Sequence, residues 1–78
     1  MSAINTVFAK NLAREFANEI NASPAEAQNW SRLERDDDVP EMDYIALREH
    51  YHYDELDQSE IQEIEQAYKS AFNATFAG

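Results

Sequence analysis

The sequence predicts an all-α protein, a small bundle of three or four helices forming a single domain over residues 1–78, on three observations. Apolar residues recur every three or four positions at both ends of the chain, several helix-capping patterns punctuate it, and the one glycine is Gly78. Hairpin turns and phosphate-cradling loops that need glycine's positive φ therefore have almost no material. A chain of 78 residues has room for one modest core and no second domain.

The elements follow in order. Ile4, Val7, Phe8, Leu12, Phe16 and Ile20 predict a first helix over about residues 3 to 21, with Ser2, Asn5 or Thr6 as its cap. Thr6, Lys10, Arg14 and Asn18 form a polar row at i+4 spacing that should face water, and Asn21 suits a left-handed residue ending the helix. Ser23, Pro24 and Glu26 read as N-cap, first helical residue and capping-box partner of a short second helix, whose inner side is Ala27, Trp30 and Leu33. Asp36-Asp37-Asp38-Val39-Pro40 interrupts the pattern, since like charges repel and the residue before proline avoids helical angles.

A third helix can start at Pro40, with Met42, Ile45 and Ala46 on one stripe and Tyr44, Leu47 and Tyr51 on another, so that it is covered on two sides. His50-Tyr51-His52-Tyr53 also suits a short strand, and so brief a run leaves both readings open. Leu56 and Ile61 flank Asp57 and Glu60 as a hydrophobic staple around a capping box and announce the last helix. Its inner stripe is Ile61, Ile64, Tyr68, Ala71, Phe72, Thr75 and Phe76, and Glu65 with Lys69 is an i, i+4 pair of favourable orientation.

The charge is unevenly placed. Residues 1 to 33 hold three acids and three bases, whereas residues 34 to 65 hold thirteen acids against Arg35 and Arg48, a local excess of eleven. The formal charge of −10 argues against direct binding to nucleic acid or to an anionic membrane face. No cysteine is present, which excludes disulfides and thiolate metal sites and fits a reducing compartment. With no apolar stretch suited to secretion or to crossing a membrane, the expected location is the cytoplasm.

A solvated face explains any single carboxylate, but eleven uncompensated charges in 32 residues repel one another, and solubility requires a net charge of only about 2 to 8. Duplex DNA carries one negative charge per roughly 1.7 Å of axis, so this excess equals that of about five or six base pairs. In its acid-rich, glycine-poor helical character over Glu34 to Glu65, including Asp38-Val39-Pro40-Glu41-Met42-Asp43-Tyr44, the chain resembles the small acidic helical proteins that phages use as DNA mimics. These are anti-restriction proteins of the Ocr type and acidic anti-CRISPR proteins. The resemblance implies an inhibitor of a DNA-handling enzyme or a CRISPR complex, working in the host cytoplasm.

Other constellations carry less. Glu49, His50, His52, Asp54 and Glu55 could ligate a divalent metal if both imidazoles pointed one way on a strand, but on a helix they diverge by about 200°, so no metal and no cofactor are expected. Asp36, Asp37 and Asp38 lack the glycine and ligand spacing of a calcium loop. Paired-carboxylate catalysis needs a partly desolvated concavity that so small a domain hardly offers, and the serines lie in no nucleophile motif, with Ser2, Ser23 and Ser59 placed as caps. The expectation is a binding protein and not an enzyme. Its partner would be a basic nucleic-acid-binding protein or complex, met through Asp36, Asp37, Asp38, Glu41, Asp43, Tyr44, Glu49, Tyr51, Tyr53, Asp54, Glu55, Asp57, Glu60 and Glu63. Trp30 is expected in the core, and the tyrosines divide between core and interface. The rival reading is a helical adaptor or homodimer in which the stripe of Ile61 to Phe76 pairs with a partner helix and the acids keep it soluble.

Overall fold

Four helices and a 3-10 turn make up the described part of the chain, which in this computed structural model comprises residues 4–33 and 39–77. They are α1 (Val7–Asn21), α2 (Pro24–Ala27), α3 (Glu41–Tyr51), the 3-10 turn Tyr53–Glu55 and α4 (Gln58–Thr75). No strand occurs among the described residues, so the all-α class holds and His50 to Tyr53 is the end of a helix and the turn after it.

The architecture rests on α1 against α4. Ala9, Ala13 and Ala17 have no exposed surface and, being four apart, line up as a ladder along one side of α1. Side chains this small let the axes approach closely, and Ile64, Tyr68 and Phe72 of α4 fill the facing core. The centre of the buried face is thus the alanine ladder with Ile20. Phe8, Leu12 and Phe16 are partly buried beside it, while Val7, expected inside, is 56% exposed. The α4 stripe matches expectation, with Ile64, Tyr68, Ala71, Phe72 and Phe76 buried and Ile61 packed at the margin.

The ends of the helices fix their direction. Asn21 closes α1 without a left-handed turn, and its side chain ties this end of the helix to the end of α4. Its Nδ2 donates to the Thr75 carbonyl at 2.9 Å and its Oδ1 accepts from the Ala77 amide at 2.9 Å. The C-termini of α1 and α4 are therefore adjacent and the two helices run parallel. Helix α1 begins at Val7, later than the periodicity implies, with the Asn5 side chain accepting from the Val7 amide at 2.9 Å; Ser2 lies outside the described residues.

Two further caps show how local signals fare. Asp57 and Glu60 form the expected reciprocal box, Asp57 Oδ1 accepting from the Glu60 amide at 2.9 Å and Glu60 Oε1 from the Asp57 amide at 3.1 Å. At α2, proline does take the first helical position, but the Ser23 side chain makes no capping bond and the helix ends after four residues. Trp30 follows it, packed edge-on to Phe16 with ring centroids 5.1 Å apart, in the core region as expected. Leu33 is held by a side-chain amide that imitates a strand partner: Asn73 Oδ1 accepts from the Leu33 amide at 2.6 Å and Asn73 Nδ2 donates to its carbonyl at 2.7 Å.

Helix α3 departs most from expectation. Only Leu47 is fully buried, Tyr51 is half-buried, and Met42 and Ile45 are 83% and 40% exposed, so the helix is covered on one side only.

Candidate functional site

The acid-rich surface is built from α3, the 3-10 turn and the first turns of α4. Asp36, Asp37 and Asp38 lie outside the described residues. Glu41, Glu49, Asp54, Glu55, Asp57 and Glu63 are exposed, and Glu60 is half-buried in the capping box. Asp57 has a second donor in the Ser59 hydroxyl at 2.8 Å, and the Glu60 amide and that hydroxyl hold its carboxyl below the usual range.

Besides Asp57 and Glu60, three more of the expected interface residues have work inside the fold. Asp43 is half-buried and accepts a short hydrogen bond from the hydroxyl of Tyr68. Burial pushes the Asp43 pKa up, the Tyr68 hydrogen bond opposes the rise, and the charges of Glu19 and Glu15 add to it. Tyr51 reaches the N-terminal end of α1, where its hydroxyl donates to the Asn5 carbonyl at 2.7 Å and accepts from the Ala9 amide at 3.4 Å. Ala9 is the third residue of α1, where backbone N–H groups have no intrahelical acceptor, so Tyr51 caps that helix from 42 residues away. Burial raises the pKa of this hydroxyl. Tyr53 is buried, its ring edge-on to that of Tyr44 with centroids 5.8 Å apart.

The fold also brings in acids that a count along the chain misses. Glu15 and Glu19 belong to the neutral N-terminal third, yet both act on Asp43 and so extend the negative surface onto α1. Their spacing of four on one helix side was the available signal. The described arginines engage neutral groups. Arg14 donates to Asn11 Oδ1, Arg32 to the Asn73 carbonyl, and Arg48 lies over the Tyr44 ring at 5.9 Å from its centroid.

The two histidines separate. His50 stacks flat on Phe8 with centroids 3.8 Å apart, whereas His52 takes a left-handed conformation at φ 55°, the only positive φ among the described residues. That turn collects His52, Asp54 and Glu55, whose potential donor atoms lie within 4.8 Å of one another. The three are exposed, as acidic groups on this surface generally are, and the histidine pair considered from the sequence does not form.

A groove of about 680 Å³ opens on the same surface. Val39 and Ile61 supply apolar lining, Tyr44 and Tyr53 supply rings, and Glu41, Gln58 and Glu65 supply polar groups. The Tyr53 hydroxyl is buried and has no hydrogen-bond partner among the described residues. Burial raises its pKa strongly, and the neighbouring Glu65 carboxylate adds to the rise.

Fold and surface together define a small all-α protein with an acidic, tyrosine-bearing face. Compared with protein-family models, curated proteins and solved structures, the chain matches none of them. Among the described residues no helix is long and apolar enough to cross a membrane.

Proposed function

We propose that the protein is an inhibitor that acts by binding: it offers a DNA-like density of negative charge to a basic nucleic-acid-binding site and blocks it, in the manner of phage anti-restriction and anti-CRISPR proteins acting in a host cytoplasm. The presenting set is Glu41, Glu49, Asp54, Glu55, Asp57 and Glu63, with Glu15 and Glu19 at its border. The observation that carries the reading is the division of labour in the fold. The apolar stripes of α1 and α4 are spent on each other, while six acids of α3, the 3-10 turn and early α4 stand exposed and the described arginines engage neutral groups. Such a field attracts Lys/Arg-lined channels and repels phosphates.

The test is competition. Fluorescent duplex DNA is bound to restriction enzymes and CRISPR effector complexes with and without the protein, at about 50 and 200 mM salt. The reading expects DNA to be displaced from the target, less so at the higher salt, and no DNA complex with the protein alone. A gel-shift in which the protein by itself retains DNA at physiological ionic strength overturns it.

A second reading keeps one specific support. Self-association can no longer use the stripe of Ile61 to Phe76, which is buried, but the exposed Met42 and Ile45 of α3 form an apolar pair three residues apart. A dimer by light scattering that Met42→Glu converts to a monomer would favour that reading.

A further inference from the structure

Helix α3 is held by less than the helices it packs on. Of its own side chains only Leu47 is fully buried, with Val39 before it and Tyr53 after it as buried anchors. Met42, Tyr44, Ile45, Arg48 and Glu49 face water. Near its start Asp43 accepts from the Tyr68 hydroxyl of α4. At its end His50 and Tyr51 set their rings against Phe8 of α1, and the Tyr51 hydroxyl bonds to the Asn5 carbonyl and the Ala9 amide. Helices α1 and α4 have a core in which α3 takes no part: toward their C-terminal ends the Phe72 ring packs on Phe16, Trp30 and Phe76, and Asn21 ties the two ends together.

We infer that α3 is a separately opening strap, which detaches and unfolds between Val39 and Tyr53 while α1 and α4 stay packed, with the Asp43–Tyr68 and Tyr51–α1 bonds as its latches. A helix of eleven residues is marginal in water by itself, so detachment and loss of the helix coincide. Helix α3 and the turn after it carry Glu41, Asp43, Glu49, Asp54 and Glu55 against Arg48, so repulsion among carboxylates favours the open form and a basic partner relieves it. The opening stands on packing alone. Only its use rests on the charge-mimic reading, in which a partner meets an adaptable acidic surface instead of a fixed one.

The experiment is amide hydrogen exchange of the whole protein, read residue by residue by NMR under conditions where rates report opening equilibria. Amides from Ile45 to Tyr51 should exchange together, and about tenfold or more faster, relative to their intrinsic rates, than those of Ala13, Ala17, Tyr68 and Phe72. Phe72→Leu loosens the core remote from α3, so it should speed exchange in α1 and α4 about tenfold and leave α3 within about twofold. Asn21→Ala carries the same expectation if Phe72→Leu does not fold. Tyr51→Phe removes one latch and keeps the ring. It should speed α3 about three- to tenfold, and the core by the same factor, because the bond is absent from the open and the unfolded forms alike. Amides of α3 that exchange at the core's rate, or that rise with the core in Phe72→Leu or Asn21→Ala, would show that only global unfolding exposes them and overturn the strap. Unaltered α3 exchange in Tyr51→Phe would overturn the latch. No target enters these measurements, so a strap that stays shut leaves the charge mimic standing, and failure of DNA competition leaves the strap standing.

Discussion

Helices α1 and α3 are both amphipathic in sequence, yet they hold the molecule in different ways. Helix α1 buries an unbroken ladder of Ala9, Ala13 and Ala17 against α4. Helix α3 buries Leu47 alone and is attached through directed polar bonds, Asp43 to Tyr68 and Tyr51 to the start of α1. The α1–α4 pair is where stability resides, and α3 is where charge can be carried at small cost to the fold. A surface evolved for a partner is easiest to place on an element whose own packing demands are few.

The comparison breaks if core and surface positions respond alike. Phe72→Ala should cost about 3–5 kcal/mol, enough to leave so small a domain largely unfolded, whereas Met42→Ala on α3 should stay within about 0.5 kcal/mol. Chemical denaturation with two-state fitting reads both, and comparable losses would mean that α3 is packed more firmly than its exposure indicates. The alanine ladder gives a second, smaller effect of opposite construction. Ala13→Leu inserts three carbons where none fit and should cost about 1–3 kcal/mol by forcing α1 off α4, although leucine is the more hydrophobic residue. A stabilised Ala13→Leu would show slack in that contact.

The third effect sharpens the account of α3. Removing the acceptor by Asp43→Ala strands the hydroxyl of fully buried Tyr68 and should cost about 1–3 kcal/mol. Asp43→Asn keeps an acceptor and removes a charge that burial and Glu19 and Glu15 disfavour, so it should be nearly neutral at pH 7. The signs with pH differ between the two structural carboxylates. Asp43 is raised in the folded state from the ordinary 3.8, so its favourable contribution is complete below that value and is lost as pH rises through the folded pKa. Asp57 is lowered from 3.8, so its contribution is present above that value and is lost as pH falls through the folded pKa. Melting temperatures across pH 2 to about 7 should show Asp43→Asn losing a decline with rising pH and Asp57→Asn losing a rise. The same slope in both variants would contradict the two assignments.

What the sequence reveals divides along the same line. The capping box at Asp57 and Glu60, its flanking Leu56 and Ile61, and the α4 stripe are legible because each signal lies within a few residues. The alanine ladder was present at i+4 spacing, but alanine weighs little against phenylalanine and leucine, so periodicity placed the buried face too far toward Phe8, Leu12 and Phe16. Asn21 and Asn73 look like a helix end and a polar surface position, and only the parallel pairing of α1 and α4 turns them into tertiary clamps. The acidic face was readable as composition over residues 34 to 65. Its extension onto Glu15 and Glu19 showed only as their i, i+4 spacing on α1, and its groove, although lined by one stretch from 39 to 65, did not show because it depends on how α3, the 3-10 turn and α4 fold together.

The smallest expected effect on stability bears most directly on function. Glu41, Glu49, Asp54, Glu55 and Glu63 are exposed, and their mutual repulsion opposes folding. Changing four or five of them to glutamine or asparagine should therefore leave the melting temperature at low salt unchanged or higher, with the gain disappearing as salt is added. If the proposed function holds, the same variants should displace less DNA from a basic target. Each exposed contact is worth a few tenths of a kcal/mol to about 1 kcal/mol, so single substitutions are nearly silent and groups of three or more are needed. Asp57 and Asp43 stay out of the set, since their carboxylates hold a helix cap and Tyr68. A cluster variant that unfolds would place these acids in internal ion pairs and erase the contrast between α3 and the α1–α4 core. One that folds and still displaces DNA as before would assign the charge to solubility alone.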